Sequence, residues 1–157
     1  MILVLILFGS TLIWLGIGRL TLFLVRLSLF YYPLIVDGYL IKVAGHELLF
    51  NLPCNANYAY LLLALLVLLT NIDFKKSIKL FLIGSLFILT ANVLRLNILI
   101  YVLINYGITL FNTLHLFFWK VLSTIYVILV WIFLVYKFKI KEIPVYSYLK
   151  LFKKEDL

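Results

Sequence analysis

Cys54, Arg95 and His115 stand out by type from a chain in which 66% of the residues are hydrophobic and 13% charged. A thiolate attacks a carbonyl carbon, an imidazole carries a proton near neutral pH, and a guanidinium stabilises the oxyanion that develops. The three together point to acyl transfer on an amide or thioester. Asn92 lies three residues before Arg95, on the same face of a helix, so its amide points into the same locus. Asn55 follows Cys54 directly.

Each residue also has a plainer reading. A free cysteine is most often a small buried hydrophobe. Arg95 can snorkel or bond backbone carbonyls, and His115 can be an interfacial anchor like its neighbour Trp119. Asn55 or Asn57 can cap a helix beginning near Tyr58. Asn97 falls on another face and reads as an interhelical hydrogen bond. Against these stands the coincidence that thiol, guanidinium and imidazole belong to three separate apolar segments. A thiol just before a helix start gains from the positive end of the dipole, and a nearby cation lowers its pKa further.

The elements that must position these residues read as membrane helices. A hydrocarbon core of roughly 30 Å needs about 20 helical residues per crossing. Apolar runs cover Tyr58 to Leu69 with its flanks, Ser77 to Ile104, and Thr113 to Tyr136. Thr70 to Lys76 joins the first two, and Asn105-Tyr106-Gly107 opens the second connection. Lys75, Lys76 and Lys79 flank one side, and Lys137, Lys139, Lys141, Lys150, Lys153 and Lys154 follow the last run, so both groups belong in the cytoplasm. Cys54 and His115 then share the opposite face. Upstream, Tyr39 to Val43 and Glu47 to Leu52 flank Ala44-Gly45-His46 as a small extracytoplasmic hairpin. Gly16, Gly18 and Arg19 can end a first span, which leaves Leu20 to Val36 as a second span or a surface helix. The expectation is an all-α transmembrane fold, a four-helix polytopic bundle with its amino terminus inside. Five spans with the amino terminus outside are the alternative.

Residues 1–136 read as one transmembrane domain and 137–157 as a basic cytoplasmic tail. The stretch from Ile2 to Ile17 lacks a basic start and a small-residue cleavage site, so it reads as a retained helix rather than a signal peptide. The net charge of +8 sits at segment ends and in the tail, without aromatic interleaving, and argues for topology rather than nucleic-acid binding. A single cysteine permits neither an internal disulfide nor a cysteine-based zinc cluster. His46-Glu47 lacks a second histidine at the spacing of a zinc protease, and His46 in a hairpin is a weaker base candidate than His115. Asp37 and Asp73 fall in loops on opposite sides, unlike the embedded pair of an aspartyl protease. No cofactor or metal is expected.

Cys54-Asn55-Ala56, then Asn92-Val93-Leu94-Arg95, then His115 in that order resembles the exosortase/archaeosortase membrane transpeptidases. Their core has a cysteine, a small polar residue and Gly or Ala, then Asn-x-x-Arg, then His or Arg opening the last span. The resemblance runs from about Gly38 to Val135, including Asp37-Gly38-Tyr39-Leu40-Ile41 ahead of Pro53. Ala56 departs from the glycine of many members, and the chain is shorter than members with about eight spans. The resemblance implies a cysteine peptidase or transpeptidase in a prokaryotic plasma membrane, in contact with lipid. It would cleave C-terminal sorting signals of exported proteins on the outer face through an acyl-enzyme on Cys54, with Arg95 and His115 catalytic and Asn92 and Asn55 supporting. Substrates, acceptor and oligomeric state are not readable from the residues. A non-catalytic scaffold or assembly subunit is the main alternative, with a transporter disfavoured because no acidic residue falls within the three clear spans.

Overall fold

The computed structural model describes residues 16–43, 45–50, 54–70 and 72–140. A helical stretch over 16–28 leads into three short strands, β1 Ile35–Asp37, β2 Leu40–Val43 and β3 His46–Leu49. Three delimited helices follow: α1 Asn57–Leu68, α2 Phe74–Phe117 and α3 Ser123–Lys137, the last two joined by a π-helical turn, Phe118–Leu122.

The strands form one antiparallel sheet in the order β1-β2-β3, with Asp37 opposite Leu40 and Val43 opposite His46. Such tight connections need positive φ, which Gly38 and Gly45 supply at 59° and 76°. Alternation along β2 buries Ile41 and Val43 and turns Lys42 outward, where it meets Glu47 at 2.7 Å. The expected hairpin is present, with β1 as an additional strand.

The predicted four- or five-helix bundle does not form. Among the described residues, three delimited helices and a three-stranded sheet take its place, and one apolar stretch, Phe74–Lys137, is long enough to cross a membrane. The reasons are geometric. At 12 residues α1 is about 18 Å long, well short of a hydrocarbon core. The segment Leu20 to Val36 is not one helix, because it leaves helical geometry after residue 28 and enters β1 at Ile35. Gly16, Gly18 and Arg19 lie inside the helical stretch and do not end it. The expected helix from Ile2 lies outside the described residues up to residue 15, as does the basic tail from residue 141 onward.

Within Phe74–Lys137 only 17% of the most apolar window is buried, so most of that surface is apolar and faces outward, unlike a soluble core helix. Gly107 leaves the helical path in α2 (φ 81°, ψ 178°), a conformation open to glycine, and the chain beyond runs back along the part before it. Tyr126 Oη donates to the Phe87 carbonyl at 2.9 Å, and Lys79 Nζ lies 5.7 Å from the Phe138 ring. Lys75, Lys76, Lys79 and Lys137 therefore gather at one end.

Two cores lie along α2. One packs Leu22, Val25 and Leu29 of the amino-terminal segment, with Ile41 and Phe50, against Leu96 to Leu103. The other packs Tyr60 and Leu63 of α1 and Val127 and Leu134 of α3 against Leu80 and Ile88. Residues 92 and 95 fall at the junction.

Candidate active site

Cys54 stands in the turn that enters α1. Asn55 behind it is fully buried, and its Nδ2 donates to Asn57 Oδ1 at 2.8 Å. Neither asparagine caps the helix: the N-cap is Ala56, whose carbonyl accepts from Ala59 N and Tyr60 N. The asparagine cap expected from sequence is corrected accordingly, because the Asn57 side-chain oxygen accepts from the Asn55 amide instead. Ala56 adopts the left-handed conformation (φ 58°, ψ 28°), which L-residues other than glycine seldom occupy. A glycine at this step would relax the turn. The thiol thus precedes the N-cap by two residues.

Arg95 projects from α2 and is only 8% exposed. Its Nη2 donates to the Cys54 carbonyl oxygen at 2.8 Å. The guanidinium therefore meets the main chain of the thiol residue, so the charge sits where it fixes the turn. Burying such a cation costs several kcal/mol unless it is hydrogen-bonded or paired, and this bond offsets part of that cost.

His115 approaches from the other direction. It lies eight residues past the break at Gly107, near the start of the returning arm of α2 and three residues before the π-helical turn. Its Nε2 is 3.8 Å from Cys54 Sγ, within hydrogen-bond range for sulfur. The Phe111 ring, 5.7 Å away and one turn earlier, backs the imidazole. Thiol and imidazole line a cavity of about 90 Å³ roofed by Ile41 and Phe50 and floored by Leu99 and Ile100.

The structure brings Cys54, Arg95 and His115 together, with Cys54 between the other two. On the Arg95 side are two further cavities. One, of about 250 Å³, is mostly apolar, with Asn92, Arg95, Ser123 and Tyr126 as its polar lining residues. The other, of about 370 Å³, is lined by Arg95, Tyr58, Trp119 and Lys120. Asn92 is 4% exposed, and neither polar atom of its carboxamide has a hydrogen-bond partner among the described residues. An unmet buried amide costs roughly 1–3 kcal/mol, so such a group asks for a functional explanation. Asn97 instead accepts from Ser28 Oγ at 3.0 Å, tying α2 to the amino-terminal segment.

Sequence reasoning missed the supporting shell. Gly18, read as a span end, brings its backbone against Asn55, Phe50 and Tyr39, with 3.6 Å between a built Cβ and each. The π-helical turn, which supplies Phe118 and Leu122 to the cavity of about 250 Å³, has no sequence signature in a run of apolar residues. Among the described residues no cluster of three or more His, Cys, Asp or Glu could hold a metal ion. No protein-family model, curated protein or solved structure matches the chain.

Proposed function

We propose that the chain is a membrane-embedded cysteine peptidase or transpeptidase that cleaves a C-terminal sorting signal of exported proteins, as its resemblance to the exosortase/archaeosortase enzymes implies. The observation that carries this reading is the 3.8 Å approach of His115 Nε2 to Cys54 Sγ, across 61 residues of sequence, beside an arginine bonded to the Cys54 carbonyl.

The steps follow from residue type. His115 takes the thiol proton, and the Cys54 thiolate attacks the scissile carbonyl carbon. The carbonyl electrons move to oxygen, where the N–H groups of Arg95 supply positive charge. The C–N bond breaks as His115 returns the proton to the departing amine, leaving a thioester on Cys54. Water or an amine acceptor then attacks that thioester and frees the enzyme. Asn55 supports the turn through its bond to Asn57.

Location in a membrane is supported by the length and outward apolar surface of Phe74–Lys137. Sidedness is supported by the lysines gathered where Lys79 meets Phe138, which the positive-inside rule assigns to the cytoplasm. Arg95 is 16 residues along the helix from Lys79, about 24 Å, toward the extracytoplasmic side.

The test is covalent trapping with a peptide thioester or chloromethyl ketone followed by peptide mapping. An adduct on Cys54, lost in Cys54→Ala while the protein still inserts, supports the assignment, and an adduct at another residue refutes it. A non-catalytic scaffold would leave Cys54→Ser and Arg95→Lys silent in every functional assay.

A further inference from the structure

We propose that the cavity of about 250 Å³ between α2 and α3 is a specificity pocket that binds one apolar residue of a peptide, with Asn92 reading that residue's main chain. The inference rests on the peptidase reading for what the peptide is held against; the binding site itself does not depend on it.

The pocket is apolar on nearly every side. Ala56, Ala59 and Ala91 keep one wall shallow, and Phe118, Leu122 and Tyr126 form the facing wall. Of its polar side chains, Ser123 donates to the Trp119 carbonyl and Tyr126 to the Phe87 carbonyl, while the Asn92 carboxamide is more than nine-tenths buried with Nδ2 and Oδ1 both unmet among the described residues. That group presents donors and an acceptor side by side. Carboxylates, phosphates and lipid esters offer acceptors and would leave Oδ1 unmet. A peptide presents a C=O and an N–H together and satisfies both.

Size limits the occupant. Pockets for drug-sized ligands run roughly 300–1,000 Å³, so this one holds a single side chain with its peptide unit rather than a longer segment. The mouth is flanked by Leu94 and Ile98, which are exposed on the apolar flank of α2, so the peptide enters sideways rather than along the helix axis. Asn92 is one helical turn from Arg95, about 4.5 Å along the axis. An extended peptide advances about 3.3 Å per residue, which puts the recognised residue one or two positions from the bond at Cys54.

The experiment uses the full chain in lipid nanodiscs and calorimetric binding of N-acetyl-Ala-Leu-Ala N-methylamide. Its partner probe is the depsipeptide with an ester oxygen in place of the leucine N–H. Wild type and Cys54→Ser are expected to bind the amide alike and the depsipeptide about tenfold more weakly. Asn92→Leu, close in volume and apolar, removes that preference, and Ala91→Phe, which fills the pocket and keeps Asn92, abolishes binding of both. Equal binding of amide and ester by wild type, an unchanged preference in Asn92→Leu, no binding at all, or displacement of the amide by oleate would each overturn the proposal, the last in favour of a lipid site. Binding that meets every expectation while no acyl adduct forms on Cys54 would sink the peptidase reading alone.

Discussion

Arg95 Nη2 donates to the carbonyl oxygen of Cys54 at 2.8 Å, 41 residues away in sequence, so one buried cation fixes the peptide that carries the chain's single thiol. The same residue walls both cavities on its side of the turn. Arg95→Lys retains charge but loses the planar fork that can hold the carbonyl and still present N–H groups elsewhere. Acyl transfer is expected to fall at least tenfold, with the loss in kcat rather than KM, read by the rate of thioester formation on Cys54.

The crossing of the three helices is set at Gly84. A Cβ there would lie 2.6 Å from Leu63 Cδ2 and 3.0 Å from Leu134 Cδ1, both on fully buried side chains with little room to shift. Overpacking of this kind costs about 1–3 kcal/mol, partly offset for alanine by about 1 kcal/mol of helix propensity. Gly84→Val should therefore lower Tm clearly and Gly84→Ala less. Gly84→Val combined with Leu63→Ala should recover part of the loss, measured by thermal melts of the four proteins in one detergent.

Ala56→Gly is expected to stabilise the fold by about 1 kcal/mol, because the left-handed backbone at φ 58° carries a Cβ penalty that glycine lacks. Ala56→Val should destabilise through the same conformation. Denaturant or thermal unfolding of the two variants checks both signs.

The Lys42–Glu47 pair across the hairpin is exposed at both ends. Its hydrogen bond to Glu47 raises the Lys42 pKa above 10.5. A raised pKa contributes stability that is complete below the unfolded value and is lost as pH climbs through the folded one. This pair should therefore add no pH dependence to Tm between about pH 6 and 9. Glu47→Gln should move Tm by less than about 2 °C.

The helix starting near Tyr58, the break after Thr70 and the hairpin around Gly45 were legible because each has a local cause: a polar flank, a polar turn, a glycine with positive φ; the break is shorter than the expected Thr70 to Lys76, since α2 already starts at Phe74. What composition could not convey was how far each apolar segment stays helical. The residues from Leu20 to Val36 are apolar enough for a span, yet the chain turns at Leu29 and pairs Ile35 and Val36 with β2, a tertiary choice that apolar content does not encode. The asparagines beside Cys54 read equally as caps or supports, and only their mutual bond decides. That Arg95 would donate to the Cys54 carbonyl was likewise hidden, since residue type specifies a donor without specifying its acceptor.

The central claim is that His115 acts on the Cys54 thiol, and the most direct measurement is the rate of alkylation of Cys54 by iodoacetamide at pH 7. With one cysteine in the chain, the signal has a single origin. Wild type is expected to react at least about tenfold faster than His115→Ala, with His115→Phe as slow as the alanine variant although it keeps the packing against Phe111. Equal rates in all three proteins would contradict the account.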